Sequence, residues 1–165
     1  MYKKILALTI MAAAAFSASA QKGESVFGVQ TGYTSTNNSA IAGLFYQYGL
    51  SNTLRISPEL GFVVRHEDYD AFTADVNMHF PLRLGQENME LYPLAGLNFS
   101  SWSRHNGHLD EINDVSTRRN RFGLNFGAGW QLRASESIKV KIEAKYLLTS
   151  RFSTFTLGVG IGYVF

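Results

Sequence analysis

Ser137-Ile138-Lys139-Val140-Lys141-Ile142-Glu143-Ala144-Lys145-Tyr146-Leu147-Leu148 decides the fold, because its residues change character at almost every step. Ile138, Val140, Ile142, Ala144, Tyr146 and Leu148 share one face, and Lys139, Lys141, Glu143 and Lys145 share the other. Successive side chains of a β-strand point to opposite sides, so this is a strand with one apolar and one charged face. The C-terminal segment repeats the pattern, with Phe155, Leu157, Val159, Ile161, Tyr163 and Phe165 alternating with Thr156, Gly158, Gly160 and Gly162. Between Arg121 and Arg133 the apolar series is Phe122, Leu124, Phe126, Ala128, Trp130 and Leu132.

Five further segments, roughly 25–34, 40–50, 53–65, 71–83 and 89–101, alternate less cleanly. In the first two, Val26, Ile41 and Phe45 fall on the otherwise polar face. The sum is eight strands, an even number, with no helical period beyond residue 20. Residues 49–52, 84–88 and 134–136 form short turns, whereas Ser103–Arg119 is a long polar loop. With the N-terminus in the periplasm, the three short turns lie there too and the long loop is external. That asymmetry suits an outer-membrane barrel. Pro58, Pro81 and Pro93 each remove a ladder donor, so bulges are expected around them.

Alternation alone does not say which face looks inward, since a soluble barrel also alternates. Glycine placement argues that the polar face is the inner one. Of 15 glycines, 12 share it: 28, 32, 43, 49, 61, 96, 123, 127, 129, 158, 160 and 162. In the narrow interior of an eight-stranded barrel, glycine leaves room for long side chains. The apolar set, with Phe122, Phe126, Trp130, Phe155, Tyr163 and Phe165, is too bulky for that interior. Its aromatics also sort toward the two strand ends, as in the girdles at the two membrane interfaces. The reverse orientation would put Lys141 and its neighbours into hydrocarbon, at about 2–4 kcal/mol per lysine near the midplane.

The first twenty residues stand apart from the fold. Lys3 and Lys4 precede an apolar run, Ile5 to Phe16, that falls short of the ~20 residues a membrane helix needs. Ala18-Ser19-Ala20 then offers a small-residue cleavage site, so residues 1–20 read as a signal peptide and the barrel domain as 21–165. The chain carries 15 Lys+Arg against 13 Asp+Glu, and setting aside Lys3 and Lys4 leaves 13 against 13. The basicity belongs to export and indicates no nucleic-acid partner. With no cysteine there is neither a lipoprotein anchor nor a disulfide framework.

Taken together, the signal peptide, the eight alternating strands and the closing Leu157-Gly158-Val159-Gly160-Ile161-Gly162-Tyr163-Val164-Phe165 resemble the OmpA/OmpX-like small outer-membrane β-barrels. They also resemble the broader porin-like group of outer membrane protein β-barrel domains. The resemblance implies an all-β, antiparallel, up-and-down transmembrane barrel in the outer membrane of a Gram-negative cell. It further implies that Tyr163 and Phe165 form the signal read by the barrel assembly machinery. A peptidoglycan-binding domain of the OmpA type is not expected.

The polar face carries Arg55, Glu59, Arg65, Asp75, His79, Arg83, Glu90, Arg121, Arg133, Lys139, Lys141, Glu143 and Lys145. Mixed signs in a confined lumen line a pore or lock into a salt-bridged plug, and eight strands leave space mainly for the plug. Glu59, Asp75, Lys141, Glu143 and Lys145 are the expected network, with Glu59 or Glu143 touching Lys141 or Lys145. The long loop offers a surface for recognition, with Arg104, Arg118 and Arg119 at its bases and His105, His108, Asp110, Glu111 and Asp114 between them. The basic bases suit lipopolysaccharide phosphates. Spacing in the loop is too loose for a metal site, and no cofactor is expected. Ser101, Ser103, His66, Asp68 and His105 lie in the zone where a lipid A-modifying enzyme keeps its nucleophile and base, but without a His-x-Ser pairing on a strand. The expected function is non-enzymatic, structural, adhesive or surface-interacting, in contact with outer-membrane lipid and lipopolysaccharide and with an unnamed external partner. A passive channel and a lipid A enzyme are the rivals.

Overall fold

The computed structural model describes residues 22–35, 38–66, 69–83, 88–104, 117–149 and 153–165. Among them the chain forms eight antiparallel strands: β1 Ser25–Thr34, β2 Ser39–Gly49, β3 Arg55–His66, β4 Tyr69–His79, β5 Met89–Arg104, β6 Thr117–Arg133, β7 Ile138–Thr149 and β8 Ser153–Val164. Leu82–Arg83 continues β4 beyond a break at Phe80 and Pro81 and pairs with the same neighbour, β5. Each strand pairs with the next, and β8 returns to β1 through Val26↔Val164 to Thr34↔Thr156. The sheet is therefore a closed barrel with no free edge in its wall, which satisfies backbone hydrogen bonding inside a membrane.

Burial follows the alternation. On β7, Lys139, Lys141 and Glu143 are buried, whereas Ile138, Ile142, Tyr146 and Leu148 are exposed. On β3, Arg55, Ser57 and Glu59 are buried, whereas Leu60, Phe62 and Val64, on the opposite face, are exposed. The apolar face thus points outward all round the barrel and the polar face fills the lumen, the inverse of a soluble barrel. Aromatics cluster at both ends of the outer face: Phe27 is opposite Tyr46 and Tyr163 at the end bearing the termini, and Phe62 opposite Phe72, Phe99 opposite Phe122 and Tyr146 opposite Phe155 at the other.

The prolines behave differently from expectation. Pro93 pairs with Ala128 in an unbroken ladder. At Pro58 the β2–β3 ladder lapses between Phe45↔Glu59 and Tyr48↔Ile56, yet the register is the same on both sides. The register across Pro81 is likewise unchanged, from His79↔Leu94 to Leu82↔Leu91. A missing N–H deletes a rung without inserting a residue, so the neighbouring bonds hold the strands in step. The irregularity in pairing lies between Val63 and His66 instead.

The long loop is shorter than expected, because β5 and β6 stay paired out to Arg104↔Thr117. Arg104, Arg118 and Arg119 therefore belong to strand ends. The other crossings at that end, residues 35–38, 67–68 and 150–152, are as short as the turns at the termini end, so the expected length asymmetry rests on residues 105–116 alone. The signal-peptide reading of residues 1–20 lies outside the described residues, as do His105, His108, Asp110, Glu111 and Asp114.

Candidate functional site

The lumen is where the chain concentrates its chemistry, and glycine prepares the space. Gly158, Gly160 and Gly162 of β8 stand opposite Glu143, Lys141 and Lys139 of β7. Gly129 stands between Tyr92 and Glu143, and Gly127 opposite Lys145. A Cβ on Gly129 would lie 2.5 Å from the Tyr92 hydroxyl, and one on Gly160 3.0 Å from the Phe45 ring and 3.1 Å from the Lys141 chain. Bare backbone on one strand thus admits a long side chain from the next.

The side chains in that space form layers, each held together by ion pairs and hydrogen bonds. At the termini end, Glu24 pairs with both Arg133 and Lys139, and Lys139 also lies 3.8 Å from Glu90. Arg55 donates to Glu90 at 2.6 Å and to Gln131 at 2.7 Å, and Gln131 donates to Gln47 at 3.2 Å. Above them Lys141 lies 3.0 Å from Glu143 and 3.4 Å from Glu59, with its ammonium 4.0 Å from the centre of the Phe45 ring. Tyr92 donates to Glu143 at 2.7 Å, and the His79 ring stacks on Tyr92 with centroids 4.6 Å apart.

Toward the other end, Lys145 pairs with Glu59 at 2.6 Å and lies 3.8 Å from Asp75. Gln30 and Ser57 donate to Glu59, while Asn98 and Asn125 donate to Asp75. Glu59 thus holds two lysines and two neutral donors, an arrangement that compensates a carboxylate removed from water. A cavity of about 30 Å³ lies beside Lys145 and Asp75, lined also by Gln30, Gly61, Thr73, Thr156 and Gly158. Its size, with the polar groups of Gln30, Thr73, Asp75 and Lys145 in its otherwise mainly apolar wall, suits a water molecule.

The structure therefore brings Glu59, Asp75, Lys141, Glu143 and Lys145 into one cluster. Among the residues it adds that sequence reasoning left out are Tyr92, Gln47 and Glu24, besides the neutral donors Gln30, Ser57 and Asn98. Tyr92 was findable, because it stands two residues from Glu90 and so shares its face. Glu24 precedes the first strand and carried no periodic signal. Ser101 lies on the outward face by its register opposite Phe72, and Ser103 two residues on shares that face. The strand-end side chains of Arg104 and Arg118 lie outside the described residues, whereas Arg119 is exposed. Tyr163 and Phe165 stack at 6.4 Å on the outer face, with Tyr46 beside Phe165 at 6.5 Å.

Comparison with known proteins places this geometry. The family model described as "Outer membrane protein beta-barrel domain" matches residues 5–165. The N-terminal β-barrel domain of Pseudomonas aeruginosa OprF has the same fold, with a TM-score of 0.73 at 15% identity over 87% of this chain and 98% of that one. Ail, the attachment invasion locus protein of Yersinia pestis, gives 0.63 at 19% identity over 88% of this chain and 100% of that one. Neisserial surface protein A gives 0.67 at 12% identity over 86% and 96%. No curated protein matches the sequence. An apolar belt around a closed antiparallel barrel, a charged interior and a family match over nearly the whole length agree: the chain belongs to the outer membrane protein β-barrel domain family and is an integral outer-membrane protein.

Proposed function

We propose that this chain is a structural and surface-interacting barrel whose lumen is plugged, and that it has no enzymatic role. The observation that carries the plug is the stacking of two ion-paired groups in the lumen: Glu24, Arg133, Lys139, Glu90 and Arg55 toward the termini end, and Lys141, Glu143, Glu59, Lys145 and Asp75 above them. Five acids and five bases balance in these two groups, so together they present no net charge to attract ions. The purified protein is expected to show no steady conductance in planar bilayers, whereas the double variant Glu59→Ala, Lys145→Ala opens a path. A wild-type barrel that conducts steadily would assign the chain to the passive channels instead.

The surface role rests on the tip of β6, which reaches past β7 from Gly123↔Thr149 onward while staying paired with β5 to Arg104↔Thr117, and so gathers Arg104, Arg118 and Arg119 near one rim. Arginine's forked donors suit phosphate and sulfate, so lipopolysaccharide phosphates are the first partner of this rim, and the acidic residues Asp110, Glu111 and Asp114 face a further partner. Ail, which shares the fold, has been solved with the heparin analogue sucrose octasulfate, a polyanion. Excising residues 105–116 should leave the heat-shifted gel mobility of the folded barrel intact while abolishing binding of cells to coated surfaces. Retention of binding would move recognition to another part of the molecule. On this reading Tyr163 and Phe165 are the residues that the assembly machinery engages.

A further inference from the structure

His79 is fully buried in the lumen, and neither of its ring nitrogens has a hydrogen-bond partner. A neutral imidazole carries one donor and one acceptor, and leaving both unsatisfied away from water is costly. Its Nε2 lies 3.8 Å from a Glu143 oxygen, too far for a hydrogen bond. The amides of Gln47, Asn77 and Asn98 also keep one unpartnered atom each. Of these, His79 is the side chain with every polar atom unpartnered, among carboxylates and lysines that are each engaged more than once. Glu59 and Glu143 converge on the same place, and one donor atom from each of Glu59, His79 and Glu143 lies within 4.8 Å of the others. All three residues are buried.

From this convergence we propose that Glu59, His79 and Glu143 form a site for a divalent transition-metal ion, with zinc the best match. One imidazole and two carboxylates are a donor set that zinc accepts. Ligands around a tetrahedral zinc, at bonds of about 2.1 Å, stand about 3.4 Å apart, so the present spread needs only side-chain adjustment of an ångström or so. The supporting contacts are in place. Stacking on Tyr92 fixes the plane of the imidazole, and the Tyr92 hydroxyl holds one Glu143 oxygen at 2.7 Å. Hydrogen bonds of that kind orient metal ligands.

Lys141 explains why the carboxylates can converge without metal. Its ammonium lies between them, at 3.0 Å from Glu143 and 3.4 Å from Glu59, and so serves as the resident cation. Metal binding is then an exchange, in which the ammonium withdraws over the Phe45 ring it already faces at 4.0 Å. Lys145 keeps Asp75, 3.8 Å away, when Glu59 turns to the metal. The site stands whether or not the lumen conducts.

The test uses the full barrel refolded in detergent micelles, with cobalt(II) as a spectroscopic probe and zinc in competition. Besides His79, the chain's histidines are His66, His105 and His108, so the experiment runs in a background where those three are alanine. A saturable tetrahedral cobalt spectrum displaced by zinc is expected. Tyr92→Phe keeps every ligand and should weaken binding about 10–100-fold. His79→Ala should abolish the spectrum, and Lys141→Met, which removes the competing ammonium, should tighten binding at least ~10-fold. Heat-shifted gel mobility checks that each variant is folded. No cobalt spectrum at millimolar ion, a spectrum that survives His79→Ala, or affinity unchanged in Lys141→Met would each overturn the assignment. If His79→Ala fails to fold, unchanged affinity in Tyr92→Phe overturns it equally.

Discussion

Glu24, one residue ahead of the first strand, ties together two strands far away in sequence. Its carboxylate accepts from Lys139 of β7 and Arg133 of β6. Burial alone would raise its pKa, but the Lys139 ammonium and the Arg133 guanidinium outweigh burial and hold the carboxyl below the usual glutamate range. A depressed carboxyl stabilises the folded state fully above the ordinary value, and that contribution fades as pH falls through the lowered one. Glu24→Gln should therefore cost about 1–2 kcal/mol at neutral pH, and the gap from wild type should close in acid. Urea unfolding measured across that range checks it, and a gap that stays constant with pH would refute the linkage. Residues such as Glu24 are hidden from sequence reasoning because their partners are set by barrel closure, whereas Lys141 and Glu143 declare their face through their alternating neighbours.

Elements were legible where both faces were chemically distinct, as in β7 and β8. In β1 and β2 the lumen face itself carries apolar bulk: Val26 and Phe45 are buried there, and Phe45 packs beside Gly160 and Gly162. The pattern blurred because that sector is filled by an aromatic and glycines rather than by charge. The same packing separates glycines that look alike in sequence. On β6, a Cβ at Gly129 would press on Tyr92, which its stack on His79 and its bond to Glu143 hold in place. On β8, a Cβ at Gly158 would meet only the Thr31 carbonyl oxygen, at 3.3 Å. Gly129→Ala should thus destabilise by about 1–3 kcal/mol, and Gly158→Ala by less than about 0.5 kcal/mol. Unfolding midpoints in lipid vesicles compare the two, and equal losses would contradict the packing described.

At the scale of the molecule, strand number, antiparallel order and the inward direction of the charges were all readable, because a membrane barrel writes its two solvents into every second residue. Which carboxylate meets which lysine was only partly readable. Glu59 and Lys145 lie 86 positions apart, and the shear of the closed sheet decides that they meet. The layer at Arg55, Glu90 and Gln131 arises in the same way from three separate strands.

The seam between β1 and β8 sets a condition on how the molecule comes into being. Val26 bonds alongside Val164, and the Phe165 amide donates to the Ser25 carbonyl, so the first strand to leave the ribosome waits for the last. Until then every shorter chain has two unpaired margins that hydrocarbon cannot solvate. Insertion strand by strand, in the order of synthesis, would expose those margins at each stage. Completion of the polypeptide thus precedes stable residence in the bilayer.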